Sequence, residues 1–153
     1  MITADQLVAH AVGDYILQSD WMASDKVRKN LVALVHGITY TLPFLFLTQV
    51  WWALLIIAGT HAAIDRWRLA KYVCYAKNFL SPPRTIENER QTTPGGQVIY
   101  VPKVTGVWWR PWKECVGNGY TFEKPIWLTT WLFIFTDNIM HVLINGAVLY
   151  YVN

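Results

Sequence analysis

The stretch LVALVHGITYTLPFLFLTQVWWALLIIAGTHAAI, Leu31 to Ile64, contains no Asp, Glu, Lys or Arg. Its 34 residues are enough for two short membrane-crossing helices and a tight turn, at about 20 residues per crossing with a lower bound near 17. The turn falls near Thr48-Gln49-Val50, which sets Trp51 and Trp52 at the membrane interface. Pro43 lies inside the first of these helices and should kink it, because proline lacks the N–H of the helical ladder.

The flanks extend this reading. From Pro125 to Asn153 the one charged side chain is Asp137, so this segment reads as a further crossing that opens with Trp127 and Trp131. Ile2 to Trp21 is mostly apolar but carries Asp5, His10, Asp14 and Asp20. It reads as a crossing with a polar inner face, or as an amphipathic helix lying in the interface. The predicted fold is an all-α membrane protein. A bundle of four transmembrane helices is built from residues 1–76 and 125–153, with helix one partly interfacial as the variant. A cytoplasmic loop insert occupies 77–124.

Composition agrees. The chain has 153 residues, 54% of them hydrophobic and 15% charged, against about 25% charged in ordinary soluble domains. Disorder is excluded, since it requires low hydrophobicity and high net charge. Cys74 and Cys115 have neither metal-binding nor redox spacing and read as free thiols in a reducing compartment. The thirteen Lys and Arg residues fall in two places: Lys26, Arg28 and Lys29, and ten more from Arg66 to Lys124. The positive-inside rule makes both places cytoplasmic and both termini external, in a multi-pass protein of the inner (plasma) membrane. No cleavable signal peptide is expected, because the N-terminus lacks a basic leader.

The insert holds six of the seven prolines, counting Pro125 at its edge. It also holds the Gly95-Gly96 turn, a β-like run Gln97–Val101 and the aromatic cluster Trp108, Trp109 and Trp112. It reads as a loop with one hairpin, resting on the membrane surface as a lid or an interface-binding element. Its basic residues are dispersed among acids, so nucleic acid is not expected as a partner.

Polar residues within the apolar segments carry the functional reading. All four histidines, His10, His36, His61 and His141, lie in them, although membrane helices normally exclude ionisable groups. His10 and Asp14, His61 and Asp65, and Asp137 and His141 are each four apart, on one face of a helix. With His36, seven potential ligands come from four helices. At about 1.5 Å of rise per residue, Asp14, His36 and His61 fall at similar depth. His10 and Asp137 lie nearer the middle, and His141 is deeper. One polar pocket is expected, spread over two or three turns and able to hold one or two ions.

Imidazole with carboxylate favours Zn²⁺, with Mn²⁺ or Fe²⁺ as alternatives. An ion with an open position would lower the pKa of bound water to about 7, and Asp14, Asp65 or Asp137 could act as base. A lipid or lipid-linked ester, amide or phosphoester would suit such a site. The same stripe would also serve an ion or proton pathway, or simple hydrogen-bonded pairing between helices. Arg66, Arg68, Lys71, Lys26 and Arg28 are positive-inside anchors or attractors of a phosphate. Gln18 and Asn145 continue two of the stripes and read as groups orienting the ligands or as ordinary interhelical hydrogen bonds. Gly13, Gly37, Gly59 and Gly146 read as points of close helix approach.

The run Leu7–Ala23 with "AH…GDYILQSDWMA", Lys26, the lone His36, "HAAID" at His61–Asp65 and "DNIMH" at Asp137–His141 together resemble a family of short bacterial and phage membrane proteins. This is the domain of unknown function family 3307. The resemblance runs over roughly 4–70 and 125–150. The chain departs from the family pattern at Asn138, where Gln is usual. The resemblance implies an integral membrane protein with His/Asp-bearing helices and supplies no reaction. A looser likeness, by analogy alone, is to bacterial membrane-bound metal-dependent hydrolases. The expected function is a zinc-dependent membrane hydrolase. The alternatives are an ion or proton carrier, or a non-enzymatic membrane interaction factor using 104–116 as its contact surface. A homo-oligomer is compatible with each.

Overall fold

Thr3 caps the first helix: its hydroxyl accepts the Gln6 N–H, one of the free donors of a helix start. The structure is a computed structural model that describes residues 2–79, 86–104, 112, 115, 117–120 and 124–152. Helix α1, Ala4–Ala11, runs into a wide π-helical turn at Val12–Ile16. The helix then breaks. Ser19 caps the short α2, Asp20–Asp25, by accepting the Met22 N–H. Helix α3 is Asn30–Thr41, and the chain tightens into a 3₁₀ turn at Leu42–Phe46. Pro43 sits in the first turn of that segment, where its missing N–H costs least, so the predicted kink takes the form of a change in winding.

Helix α4, Trp51–Trp67, follows after the expected turn, where the Thr48 hydroxyl accepts the Val50 N–H. It stops at Arg68, which is left-handed at φ 49°. Helix α5, Ala70–Phe79, extends into what the sequence assigns to the insert. Strands β1, Ile86–Thr92, and β2, Val98–Val104, pair antiparallel from Ile86 opposite Val104 to Thr92 opposite Val98. The turn between them needs Gly96 at φ 80°. The sequence marks β2 and the turn but not β1, whose polar residues carry no strand signal. The last helix is α6, Ile126–Val152.

The chain is mostly helical, as expected, but four membrane-length helices are not what forms. Among the described residues one helix, the 27-residue α6, is long and apolar enough to cross a membrane. It is about 40 Å long, against about 30 Å of hydrocarbon. The Asn30–Phe46 and Trp51–Trp67 segments are shorter, at about 26 Å each. Helix one is shorter still, because its helical run ends at Ile16 and not Trp21. The small hairpin expected in the insert is present, so the fold as a whole is not all-α.

Helices α3 and α4 pack closely because Gly37 has no side chain. A Cβ there would stand 2.6 Å from the Ala58 carbonyl oxygen. Gly13 lets the π turn lie on Tyr40 in the same way. Gly59 corrects the sequence reading, since a Cβ there would meet nothing within 4 Å. Ala9, Tyr40, Phe44, Ile57 and Leu149 form a small apolar core. Beyond it α5 lies against α6, with Lys77 Nζ donating to Thr136 Oγ1 and Arg68 over the Phe133 ring. Of the aromatic cluster, Trp112 stacks on Tyr72 of α5. Trp108, Trp109 and most of the 104–116 surface lie outside the described residues.

Candidate metal centre

The centre of the bundle is polar and its outside is apolar. Gln6, His10, Asp14, His36, His61, Asp65, His141 and Asn145 are all buried, while Leu31, Ile38, Phe46, Leu55, Ile126 and Phe135 are exposed. Phe46 is 93% and Ile126 82% exposed, against 0% for His36 and 1% for His61.

Four atoms meet at one point. His36 Nε2 and His61 Nε2 are 3.0 Å apart. Asp14 Oδ1 lies 3.3 Å from each of them. Asp65 Oδ2 lies 3.2 Å from His36 Nε2 and 3.1 Å from His61 Nε2. Each comes from a different turn of chain: the π turn gives Asp14, α3 gives His36, and successive turns of α4 give His61 and Asp65. Five of the six edges of this tetrad therefore measure 3.0 to 3.3 Å, and the sixth pair is within 4.8 Å. A tetrahedral ion with bonds of about 2.0 Å has ligand–ligand edges of about 3.3 Å.

Hydrogen bonds alone satisfy this arrangement poorly. Two ring nitrogens 3.0 Å apart admit one proton between them, and two carboxylate oxygens compete for it. Asp14 Oδ1 and His141 Nε2 are buried without a hydrogen-bond partner of good geometry, a costly state for such groups. A buried Asp/His cluster of this kind could hold a metal ion.

A second group adjoins the first through Asp65. His141 Nε2 on α6 is 3.6 Å from Asp65 Oδ1 and 3.5 Å from Asp137 Oδ2. Six of the seven sequence-selected residues thus fall in two overlapping groups.

His10 is placed differently. Its Nδ1 is 2.8 Å from the Tyr40 hydroxyl, and its Nε2 is 2.9 Å from Asn138 Oδ1. Asn145 Nδ2 donates to the same hydroxyl at 2.6 Å. The Tyr40 O–H therefore donates to Nδ1, and His10 carries its proton on Nε2 and donates to Asn138. Both ring nitrogens are used. His10 Nδ1 still lies 3.5 Å from Asp14 Oδ2, as the four-residue spacing implies, but its two hydrogen bonds commit it to Tyr40 and Asn138 and not to the tetrad.

Lys26 is a member of the cluster that the sequence reading missed. Its ammonium leaves the end of α2, lies 2.9 Å from Asp65 Oδ2 and 3.2 Å from His36 Nε2, and donates to Gln18 Oε1 at 2.6 Å. Gln18 consequently orients Lys26 and not a ligand, and Asn145 acts through Tyr40. Three carboxylates and one ammonium leave two net negative charges with neutral imidazoles, a deficit one divalent cation cancels. Tyr40 was also missed, although it follows His36 by four residues, the same spacing that marks the other pairs. Its ring stacks on His61, centroids 3.6 Å apart. Three of the other basic residues are engaged elsewhere: Arg66 donates to Asn30 Oδ1 and the Val27 carbonyl, Arg68 lies over Phe133, and Lys71 lies over Tyr72.

Fold and site together define a small helical bundle with an apolar exterior and a buried carboxylate–imidazole–ammonium cluster. The chain belongs to the family described as Protein of unknown function (DUF3307), which matches residues 2–93. That stretch includes Asp14, Lys26, His36, His61 and Asp65. The Asp137–His141 motif, which the sequence assigns to the same pattern, lies beyond it. No curated protein and no solved structure matches the chain.

Proposed function

We propose that this protein is a membrane-embedded, metal-dependent hydrolase acting on a lipid or lipid-linked substrate. The tetrad of Asp14, His36, His61 and Asp65 carries the reading, because five of its six edges match those of a tetrahedral ion. Its two nitrogens and two carboxylate oxygens favour Zn²⁺, with Mn²⁺ or Fe²⁺ compatible. An ion held by the Asp/His cluster would supply Lewis-acid activation of water near neutral pH wherever a coordination position is left open.

Hydrolysis adds water across an ester, amide or phosphoester bond. The water oxygen bonds to the carbonyl carbon or phosphorus, and one proton passes through a carboxylate to the departing oxygen or nitrogen. Asp137 is the carboxylate best exposed to a substrate, at 22% side-chain exposure against 11% for Asp14 and 4% for Asp65.

The membrane placement rests on the reversal of polarity between inside and outside, which is unfavourable in water and favourable in lipid. In this reading α6 crosses fully. The Asn30–Phe46 segment and α4 cross at the lower limit of length, and α1 with its π turn enters part-way, sheltered by its neighbours. The end bearing Lys26, Arg66 and Lys124 faces the cytoplasm.

A proton carrier is the runner-up, favoured by the His10–Tyr40–Asn145 chain of hydrogen bonds. Amides at both ends of that chain, Asn138 and Asn145, do not pass protons onward, which weighs against it. Elemental analysis of the purified, folded protein tests the metal reading: zinc is expected in the wild type and lost in His61→Ala. A folded wild type that takes up no transition metal would remove it. Turnover of lipid esters or phosphoesters, abolished by chelation and by His61→Ala, tests the hydrolase reading.

A further inference from the structure

Asp65 turns its two oxygens to two different partner sets. Oδ2 faces His36, His61 and Lys26, and Oδ1 faces His141. His141 Nε2 also lies 3.5 Å from Asp137 Oδ2, so the three form a second ligand group whose two edges at His141 are 3.5 and 3.6 Å and whose third is within 4.8 Å. The two edges at His141 suit an ion with bonds of about 2.1–2.2 Å. His141 is 2% exposed, and its Nε2 is aimed into this group with no hydrogen-bond partner of good geometry.

We infer that the centre binds two metal ions bridged by Asp65, and that they have unequal roles. This rests on the metal reading proposed above and extends it to a second site. The first ion has four protein ligands, Asp14, His36, His61 and Asp65, the closed coordination of structural zinc. The second has three, Asp65, Asp137 and His141, the number that leaves a position open for water or substrate in catalytic sites. A bridging carboxylate suits the spacing of about 3.5–4 Å found in two-metal hydrolytic sites.

The asymmetry also follows the packing. The tetrad is enclosed by α3, α4 and the π turn, with Tyr40 stacked on His61. The triad lies toward α6, where Asp137 is partly open. Chemistry is therefore assigned to the α6 side. A carboxylate that binds an ion through Oδ2 alone keeps its other oxygen to accept the proton of the attacking water, so Asp137 can fill both roles.

Zinc stoichiometry of the full chain in detergent, after stripping and reloading, tests this. Two equivalents are expected in the wild type, one in Asp137→Asn and in His141→Ala, and none in Asp65→Asn. Helical circular dichroism establishes that each variant is folded. The Mn²⁺-loaded wild type gives a test independent of the variants: its electron paramagnetic resonance spectrum should show exchange coupling between two ions. A wild type that saturates at one equivalent with an uncoupled six-line spectrum overturns the second site and leaves the single-ion reading standing. Two equivalents retained in both Asp137→Asn and His141→Ala also overturn it. No uptake at all overturns both readings.

Discussion

The Nε2 atoms of His36 and His61 face each other at 3.0 Å in the middle of the bundle, carried by two helices that Gly37 brings together. Two lone pairs pointed at each other repel unless a proton or a cation stands between them. Replacing either histidine by Ala should lower zinc affinity by more than the roughly 10–100-fold that loss of a residue merely supporting a ligand costs. Competition with a calibrated chelator measures this. Equal affinities in wild type and both variants would mean that the tetrad is not the ion's seat.

Lys26 offsets the charge of Asp65 when no ion is present. Lys26→Met should destabilise the metal-free protein by about 3 kcal/mol, the range for removing one partner of a buried pair. The same change should strengthen zinc binding, since the cluster then carries three net negative charges. Thermal unfolding with and without zinc checks both signs. A variant that is less stable and also binds zinc more weakly would place Lys26 in support of the ligands and not in competition with the ion.

The Tyr40 hydroxyl joins His10 to Asn145 without touching a carboxylate of the tetrad. Tyr40→Phe leaves the lone pair of His10 Nδ1 and the Asn145 N–H unpaired. It should cost about 1–3 kcal/mol while zinc stoichiometry stays at the wild-type value. Unfolding midpoint and metal content, measured on the same preparation, separate these effects. A loss of zinc would make His10 part of the ion-binding set.

Gly37 and Gly59 provide a matched pair. Gly37→Ala puts a methyl against the Ala58 carbonyl and should destabilise by about 1–3 kcal/mol, as overpacking does. Gly59→Ala meets no atom within 4 Å. It should be neutral or slightly stabilising, because alanine is the better helix former. Equal unfolding midpoints would contradict the close α3–α4 contact.

Zinc retention should fall as pH is lowered, since protons compete with the ion for imidazole and carboxylate. A network held by protonated imidazoles on carboxylates, with no ion, gains stability on mild acidification instead. Metal content after dialysis and the unfolding midpoint, measured across one pH series, distinguish them. A midpoint that rises on mild acidification with no zinc bound at any pH would favour the metal-free network.

Charge-free runs and four-residue spacing are properties of the chain, so Leu31–Ile64, the start of α6 and the pairs His61–Asp65 and Asp137–His141 were legible without coordinates. Those pairs lie on uninterrupted α-helix, where i and i+4 must share a face. His10 and Asp14 also end 3.5 Å apart, but the spacing does not reveal that Tyr40 and Asn138 take both ring nitrogens of His10. Helix lengths were less legible, because composition does not reveal that the first helix breaks after Ile16. Lys26 shows what only the tertiary structure could decide. In sequence it is one of three basic residues in a short connection and looks like an anchor. Its ammonium reaches Asp65 because α2 folds back beneath α3, and contact across 39 positions of chain has no local signature. The division of Asp65's two oxygens between α3 and α6 is of the same kind. Residue type and period determined which groups are buried, but the docking of separate helices decided which of them meet.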